Sequence, residues 1–97
     1  MQKELEIELT TSKSILRMYN CKVDNFNFLN EIINIKIYLD GSQQPFCDGD
    51  IANLIMKKNT PRNNIFEVKL LKNSRKINII LSTNSDFDLE EIEVKAL

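Results

Sequence analysis

The sequence predicts a small all-β protein: an antiparallel β-sandwich, immunoglobulin-like or jelly-roll-like, with about seven strands. Apolar and polar residues alternate with period two along most of the chain, as in strands that bury one face. Turn signals separate these segments at regular short intervals, which is typical of sandwiches. The chain has 97 residues, the length of one small domain, so we expect a single domain over 1–97.

The first half of the chain contains three predicted strands. In the first, Leu5, Ile7 and Leu9 alternate with glutamates, so the apolar residues share one face. The second is expected around 14–19. The clearest covers 32–39, where a β-branched run ends at an Asp-Gly turn signal at 40–41. The stretch 20–30 between them is interpreted as an ordered loop packed by its own apolar side chains.

The second half opens with an Asp-Gly-Asp tripeptide at 48–50, which predicts a turn. A strand is expected over 51–58, with Ala52, Leu54 and Met56 on one face. A short helix is the alternative there, since Ala, Leu and Met favour helix. Three further strands are marked by alternating apolar residues: Phe66, Val68 and Leu70; Ile77, Ile79 and Leu81; Ile92, Val94 and Ala96. Polar breakers at 59–64, 73–74 and 84–86 separate these segments.

The alternation also predicts which side chains form the core. Each strand should turn its apolar stripe inward and its polar stripe towards solvent. The residues expected to be buried are Leu5, Ile7, Ile33, Ile35, Ile37, Val68, Leu70, Ile77, Ile79 and Val94.

The composition gives no sign of an assembled catalytic site. The chain has no histidine, which removes the common nucleophile–base pairs and imidazole metal ligands. Two cysteines cannot complete a four-ligand zinc site, and two glycines cannot form a glycine-rich phosphate loop. We therefore predict a protein that is not an enzyme and holds no cofactor and no metal. A calcium site at Asp40, Asp48 and Asp50 is the alternative to turn chemistry for those carboxylates.

The charged N-terminal residues, the short apolar runs and the two thiols predict a cytoplasmic protein with no membrane span. The first residues are charged, and no stretch approaches the roughly 20 apolar residues that cross a bilayer. Cys21 and Cys47 are expected to be free thiols in a reducing compartment, with a disulfide between them as the alternative.

The net charge of −1 argues against a protein built mainly to bind nucleic acid. The segment 57–76 is nevertheless rich in lysine and arginine, with Glu67 as its single carboxylate. We interpret it as a solvated surface that balances the acidic first and last strands. Contact with phosphates or with a protein partner remains the alternative interpretation.

Four apolar residues lie opposite the core stripes of their strands. They are Ile32, Tyr38, Ile55 and Ile80. A free sandwich needs only one apolar face per strand, so apolar residues on the second face indicate a partner surface. Tyr38 is the expected anchor, because tyrosine is enriched in interface hot spots. Isolated exposed apolar residues, which are common on protein surfaces, are the alternative interpretation.

Several segments, taken in order, resemble the N-terminal domain of phage tail baseplate upper proteins. They are the opening strand 3–9, the short element 22–25, the strand and glycine turn over 33–41, the tripeptide 44–46 and the segment 51–58 that ends in lysine. The chain departs from the family pattern at Lys22, where the family tends to have glutamine, and at 59–61, where a Pro-Asp-Gly turn is common. The resemblance covers about residues 3–71.

The resemblance implies a non-catalytic structural or adaptor protein of a phage tail baseplate or tail tip, located in the virion. It implies homo-oligomeric assembly and contacts with other tail proteins. The alternative is a small phage-encoded or cytoplasmic protein-binding β module, such as an inhibitor of a host protein.

Overall fold

The computed structural model describes residues 2–21, 33–59, 64–71 and 75–97. Predictions for Ile32, for the loop over 20–30 beyond Cys21, for the element 22–25 and for the breakers at 60–63 and 73–74 fall outside these ranges. The strands in the described ranges are β1 (Lys3–Thr10), β2 (Ile15–Tyr19), β3 (Ile33–Leu39), β4 (Cys47–Asp50), β5 (Ile55–Asn59), β6 (Asn64–Lys69), β7 (Lys76–Thr83) and β8 (Glu93–Ala96).

These eight strands form two four-stranded antiparallel sheets, which confirms the predicted β-sandwich. Sheet A has the order β1-β7-β3-β4, and sheet B has the order β5-β6-β2-β8. Strands β1, β2 and β3 alternate between the sheets, and so do β6 and β7. Because β1 pairs with β7 and not with β2, the connectivity differs from the immunoglobulin order.

The core lies between the sheets, where the inward stripes meet. The described residues buried in it are Leu16, Met18, Cys21, Ile33, Ile35, Ile37, Leu39, Ile51, Phe66, Leu70, Ile77, Ile79, Leu81, Leu89 and Ile92. Six of the ten predicted core residues belong to this set. The other four, Leu5, Ile7, Val68 and Val94, are half-buried and pack against it. Three of those four lie on the edge strands β1 and β8, which have a neighbour on one side only.

The predicted turn at 48–50 is wrong, because these residues form β4. Gly49 pairs with Ile35, and Asp48 pairs with Lys36. Glycine and aspartate are poor strand formers, yet cross-strand pairing with β3 overrides that preference at the sheet edge. The reversal between β3 and β4 lies at the predicted Asp40-Gly41 turn, where both residues have positive φ.

The strand predicted over 51–58 is also wrong in its first half. Residues Ile51–Asn53 form a 3₁₀ turn that carries the chain from sheet A to sheet B. The Asp50 carboxylate accepts a hydrogen bond from the N–H of Ala52 and so caps this turn. Ile51 is therefore buried, while Met56 on the predicted core face is 43% exposed at the edge of sheet B.

A second 3₁₀ turn, Leu89–Glu91, leads into β8. Within the described ranges, no helix is long and apolar enough to cross a membrane.

Candidate functional site

The outer face of sheet A brings two predicted interface residues together. Tyr38 on β3 pairs with Asn78 on β7, and Ile80 lies two residues further along β7 on the same outward stripe. Both side chains are half-buried. They line a half-open depression of about 670 Å³, whose walls also include Glu8, Thr10, Ser42, Lys76 and Asn78. The depression therefore joins an aromatic ring and an aliphatic side chain with polar groups around them.

Asn78 supplies the polar centre of this depression. Its side-chain N–H₂ donates to the Glu6 carboxylate at 3.0 Å, which fixes the amide across β1 and β7. Its Oδ1 is buried and accepts no hydrogen bond. A buried acceptor of this kind loses its hydration without replacement, which costs free energy in the folded protein.

The outer face of sheet A, on which the depression lies, carries more carboxylates than lysines, and we call it the acidic face. The cross-strand register turns five described carboxylates and two lysines outward on it: Glu4, Glu6, Glu8, Asp48 and Asp50, with Lys36 and Lys76. Five negative against two positive charges leave a net charge of −3.

The structure does not bring the predicted interface residue Ile55 to this place. Ile55 lies on β5 of sheet B, outward and 51% exposed, opposite Glu67. Ile32 is outside the described residues. Tyr38 and Ile80 thus form one surface, and Ile55 belongs to another on the opposite side of the sandwich.

The outer face of sheet B has the opposite charge, and we call it the basic face. Its outward charged residues in the described ranges are Arg17, Lys57, Lys58, Lys69 and Lys95, with Glu67 and Glu93. Five positive against two negative charges leave a net charge of +3. Three of the seven bases in the predicted basic segment 57–76, Lys57, Lys58 and Lys69, lie on this face. Lys76 lies on the acidic face, and Arg62 and Lys72 lie outside the described residues.

Glu67 is the most enclosed charge of the basic face. It is 6% exposed although its side chain points outward, because Arg17 and Lys57 cover it. Burial disfavours its ionised form, but the hydrogen bond and charge of Arg17, helped by Lys57, outweigh that and lower the pKa of Glu67. Arg17 also donates to the Tyr19 hydroxyl at 3.3 Å, and the Lys95 ammonium lies 5.6 Å from the Tyr19 ring centroid.

This Arg17–Glu67 pair was not predicted, since the two residues are 50 positions apart in the chain. The sequence does contain a signal for it. Glu67 is the only carboxylate in the basic segment 57–76, and it lies between Phe66 and Val68 on the outward stripe of a predicted strand. A single carboxylate in such a place indicates a local counter-ion for the surrounding bases.

Two of the three aspartates considered for calcium, Asp40 and Asp50, accept hydrogen bonds from the backbone. The Asp40 carboxylate accepts hydrogen bonds from the N–H groups of Arg75 and Lys76, at 2.8 and 2.9 Å. These bonds, Lys76 first, lower the pKa of Asp40. Asp50 caps the first 3₁₀ turn, and Asp48 faces Lys36 across β4 and β3. Among the described residues, no group of three or more acidic or thiol side chains could hold a metal ion.

Both cysteines are free, as predicted. Burial raises the pKa of the Cys21 thiol to about 12. Burial, followed by the charge of Asp48, also raises the pKa of Cys47. Since the thiolate is the nucleophile, neither residue is activated for covalent chemistry at neutral pH.

The two lowered carboxyl pKa values predict acid-sensitive stability. A carboxylate whose folded pKa lies below its unfolded value stabilises the fold above the unfolded value and loses that effect as the pH falls. The melting temperature should therefore change little from neutral pH down to about 5 and fall progressively below about 4.5. Circular dichroism melts across this range measure it. Asp40→Asn should make the decrease in melting temperature at acid pH smaller, whereas Asp86→Asn, at an exposed position, should leave that decrease unchanged. The same decrease in both variants would contradict the role of Asp40.

Comparison of the chain with protein-family models, with curated proteins and with solved structures finds no match. The resemblance to phage baseplate upper proteins is therefore untested and stays a prediction.

Proposed function

We propose that this protein is a non-catalytic assembly module that binds another protein through the acidic face of sheet A. The observation that carries the proposal is that Tyr38 and Ile80 line one depression on the outward face of sheet A. A sandwich that works alone needs polar residues there, because its core already lies between the sheets. Covering the two side chains with a partner removes their apolar surface from water at about 25 cal/mol per Å².

The surroundings of the depression support protein binding over catalysis. Tyr38 offers a large apolar ring and a hydroxyl, the combination enriched at interface hot spots. The net charge of −3 on the acidic face as a whole favours a partner surface that carries lysine or arginine. The chain has no histidine, and its two thiols have raised pKa values, so the usual nucleophile–base machinery is missing.

The test is the double variant Tyr38→Lys with Ile80→Lys. Both side chains point away from the core, so the variant should fold and keep its melting temperature. Assembly or partner binding should be lost, because two cations then replace the apolar centre of the depression. Light scattering coupled to size exclusion and a thermal melt measure the two results.

The matched control is Leu71→Lys with Asn84→Lys. Both residues are exposed and lie outside the strands, and the change adds the same charge. The control should assemble like the parent protein. A Tyr38 and Ile80 variant that folds and still binds every partner would disprove the proposal, and so would one that unfolds, since the residues would then belong to the core.

The finer role that we propose is a structural or adaptor part of a phage tail baseplate or tail tip, based on the resemblance of segments within residues 3–71. A stable ring such as a trimer or hexamer supports this role, and mass spectrometry of purified virions tests it directly. A protein that stays monomeric and is missing from virions would instead favour the binding module that inhibits a host protein.

A further inference from the structure

The two outer faces of the sandwich carry equal and opposite net charge. The acidic face of sheet A has a net charge of −3, and the basic face of sheet B has a net charge of +3, counted over the described outward residues. These charges nearly cancel within one chain, whose overall net charge is −1. The two signs are therefore segregated onto opposite sides of the molecule.

Each face also carries apolar residues beyond what a free sandwich needs. The acidic face has Tyr38 and Ile80 in its depression. The basic face has Ile55, which is 51% exposed, together with the half-buried Ile15 and Ile65. One chain thus presents an apolar centre with carboxylates on one side and an apolar centre with cations on the other.

We infer that the acidic face of one copy binds the basic face of a second copy, head to tail. This inference rests on the proposed function and names its partner as the same chain. Opposite charges across the contact steer the two copies together and fix their orientation. Two identical faces brought together would instead place like charges opposite each other, which disfavours a two-fold symmetric dimer through either face.

The dimensions of the molecule allow such a contact. The principal extents of the molecule are 38 × 28 × 19 Å. The shortest extent fits the direction in which the two sheets stack, since stacked sheets lie about 10 Å apart. Each broad face accordingly offers room for the roughly 800 Å² per partner of a standard interface. A head-to-tail contact leaves one face of each kind free at the ends, so it continues into a ring or a filament.

The first test is the dependence of self-association on salt. The wild-type chain should form oligomers at about 0.05 M salt, as measured by sedimentation velocity across a concentration series. At about 1 M salt, where the Debye length is only about 3 Å, the apparent dissociation constant should rise at least about tenfold. A chain that is monomeric at both salt concentrations, or equally associated at both, overturns the inference.

The second test uses two variants, each with one face changed. Glu6→Lys with Glu8→Lys reverses part of the acidic face. Lys58→Glu with Lys69→Glu reverses part of the basic face. All four side chains are exposed, and neither variant alters the Arg17–Glu67 pair. Each variant alone should be monomeric at low salt, because its one intact face has no matching partner face.

Mixing the two variants is the decisive step. The variant with altered acidic residues keeps its basic face, and the other keeps its acidic face, so the mixture should give a 1:1 dimer that grows no further. A mixture that stays monomeric while the wild type assembles overturns the head-to-tail geometry. The control is Asp86→Lys with Glu90→Lys, which makes the same charge change in the connection between β7 and β8 and should assemble like the wild type.

The outcomes separate this inference from the proposed function. A wild-type monomer that captures a different protein, and loses it in the Tyr38 and Ile80 variant, disproves self-assembly and retains the binding face. Self-assembly that survives the Tyr38 and Ile80 variant but is lost in both charge variants retains the head-to-tail contact and removes the depression as its centre. Thermal melts of every variant exclude loss of folding as the cause.

Discussion

Ile35→Ala is expected to lower the free energy of unfolding by about 2–5 kcal/mol. Ile35 is fully buried on β3, in the interior of sheet A, between Leu81 on β7 and Gly49 on β4. Gly49 has no side chain that could move into the space left by the substitution, so the site should collapse poorly. A small domain holds only about 5–15 kcal/mol in total, so this single change threatens the fold.

Chemical denaturation monitored by circular dichroism measures this effect. In a domain of this size each 1 kcal/mol corresponds to a shift of about 4–8 °C in melting temperature. Ile55→Ala is the matched control, since Ile55 is 51% exposed and its truncation should change stability by no more than about 0.5 kcal/mol. Equal effects at Ile35 and Ile55 would show that the sandwich core is placed wrongly.

Arg17→Met is expected to destabilise the protein more than any other removal of an outward charge. Glu67 would stay buried with only Lys57 near it, at 3.6 Å, after losing its hydrogen-bonded cation. Breaking an enclosed ion pair from one side is costly because the remaining charge is desolvated and poorly compensated. Thermal melts of the single variant measure the loss.

A double-mutant cycle separates that cost from the worth of the pair. Arg17→Met with Glu67→Leu removes both charges and should recover most of the lost stability. Lys95→Met is the control, because Lys95 is exposed and its pairing with Glu93 is a surface contact. If Arg17→Met melts no lower than Lys95→Met, Arg17 does not hold Glu67 in place.

The strand pattern was predictable wherever one face of a strand is apolar. Alternation located β1, β3, β6 and β7 to within about two residues, because side chains on a strand point to opposite faces with period two. It also placed Ile33, Ile35 and Ile37 correctly in the core. Strand position and the direction of a side chain on a strand depend on residues adjacent in sequence, so both can be predicted from the sequence.

The errors arose where local preference and tertiary pairing disagree. The tripeptide at 48–50 has the composition of a turn, but its backbone completes the edge of sheet A beside β3. The strand predicted over 51–58 begins instead with a capped 3₁₀ turn, which directs Ile51 into the core. In both places the connection between the two sheets decides the conformation, and no local pattern encodes that connection.

The residue pattern alone predicts the all-β class, the apolar stripes and the apolar residues on the second faces of their strands, such as Tyr38, Ile55 and Ile80. The folded arrangement places Tyr38 and Ile80 in one depression, puts Ile55 on the opposite side, and divides the charges into an acidic and a basic face. Alternation along a strand sets which of its sides is apolar, but it does not set which strands are neighbours. Which strands become neighbours depends on pairings between distant segments, as with Arg17 and Glu67.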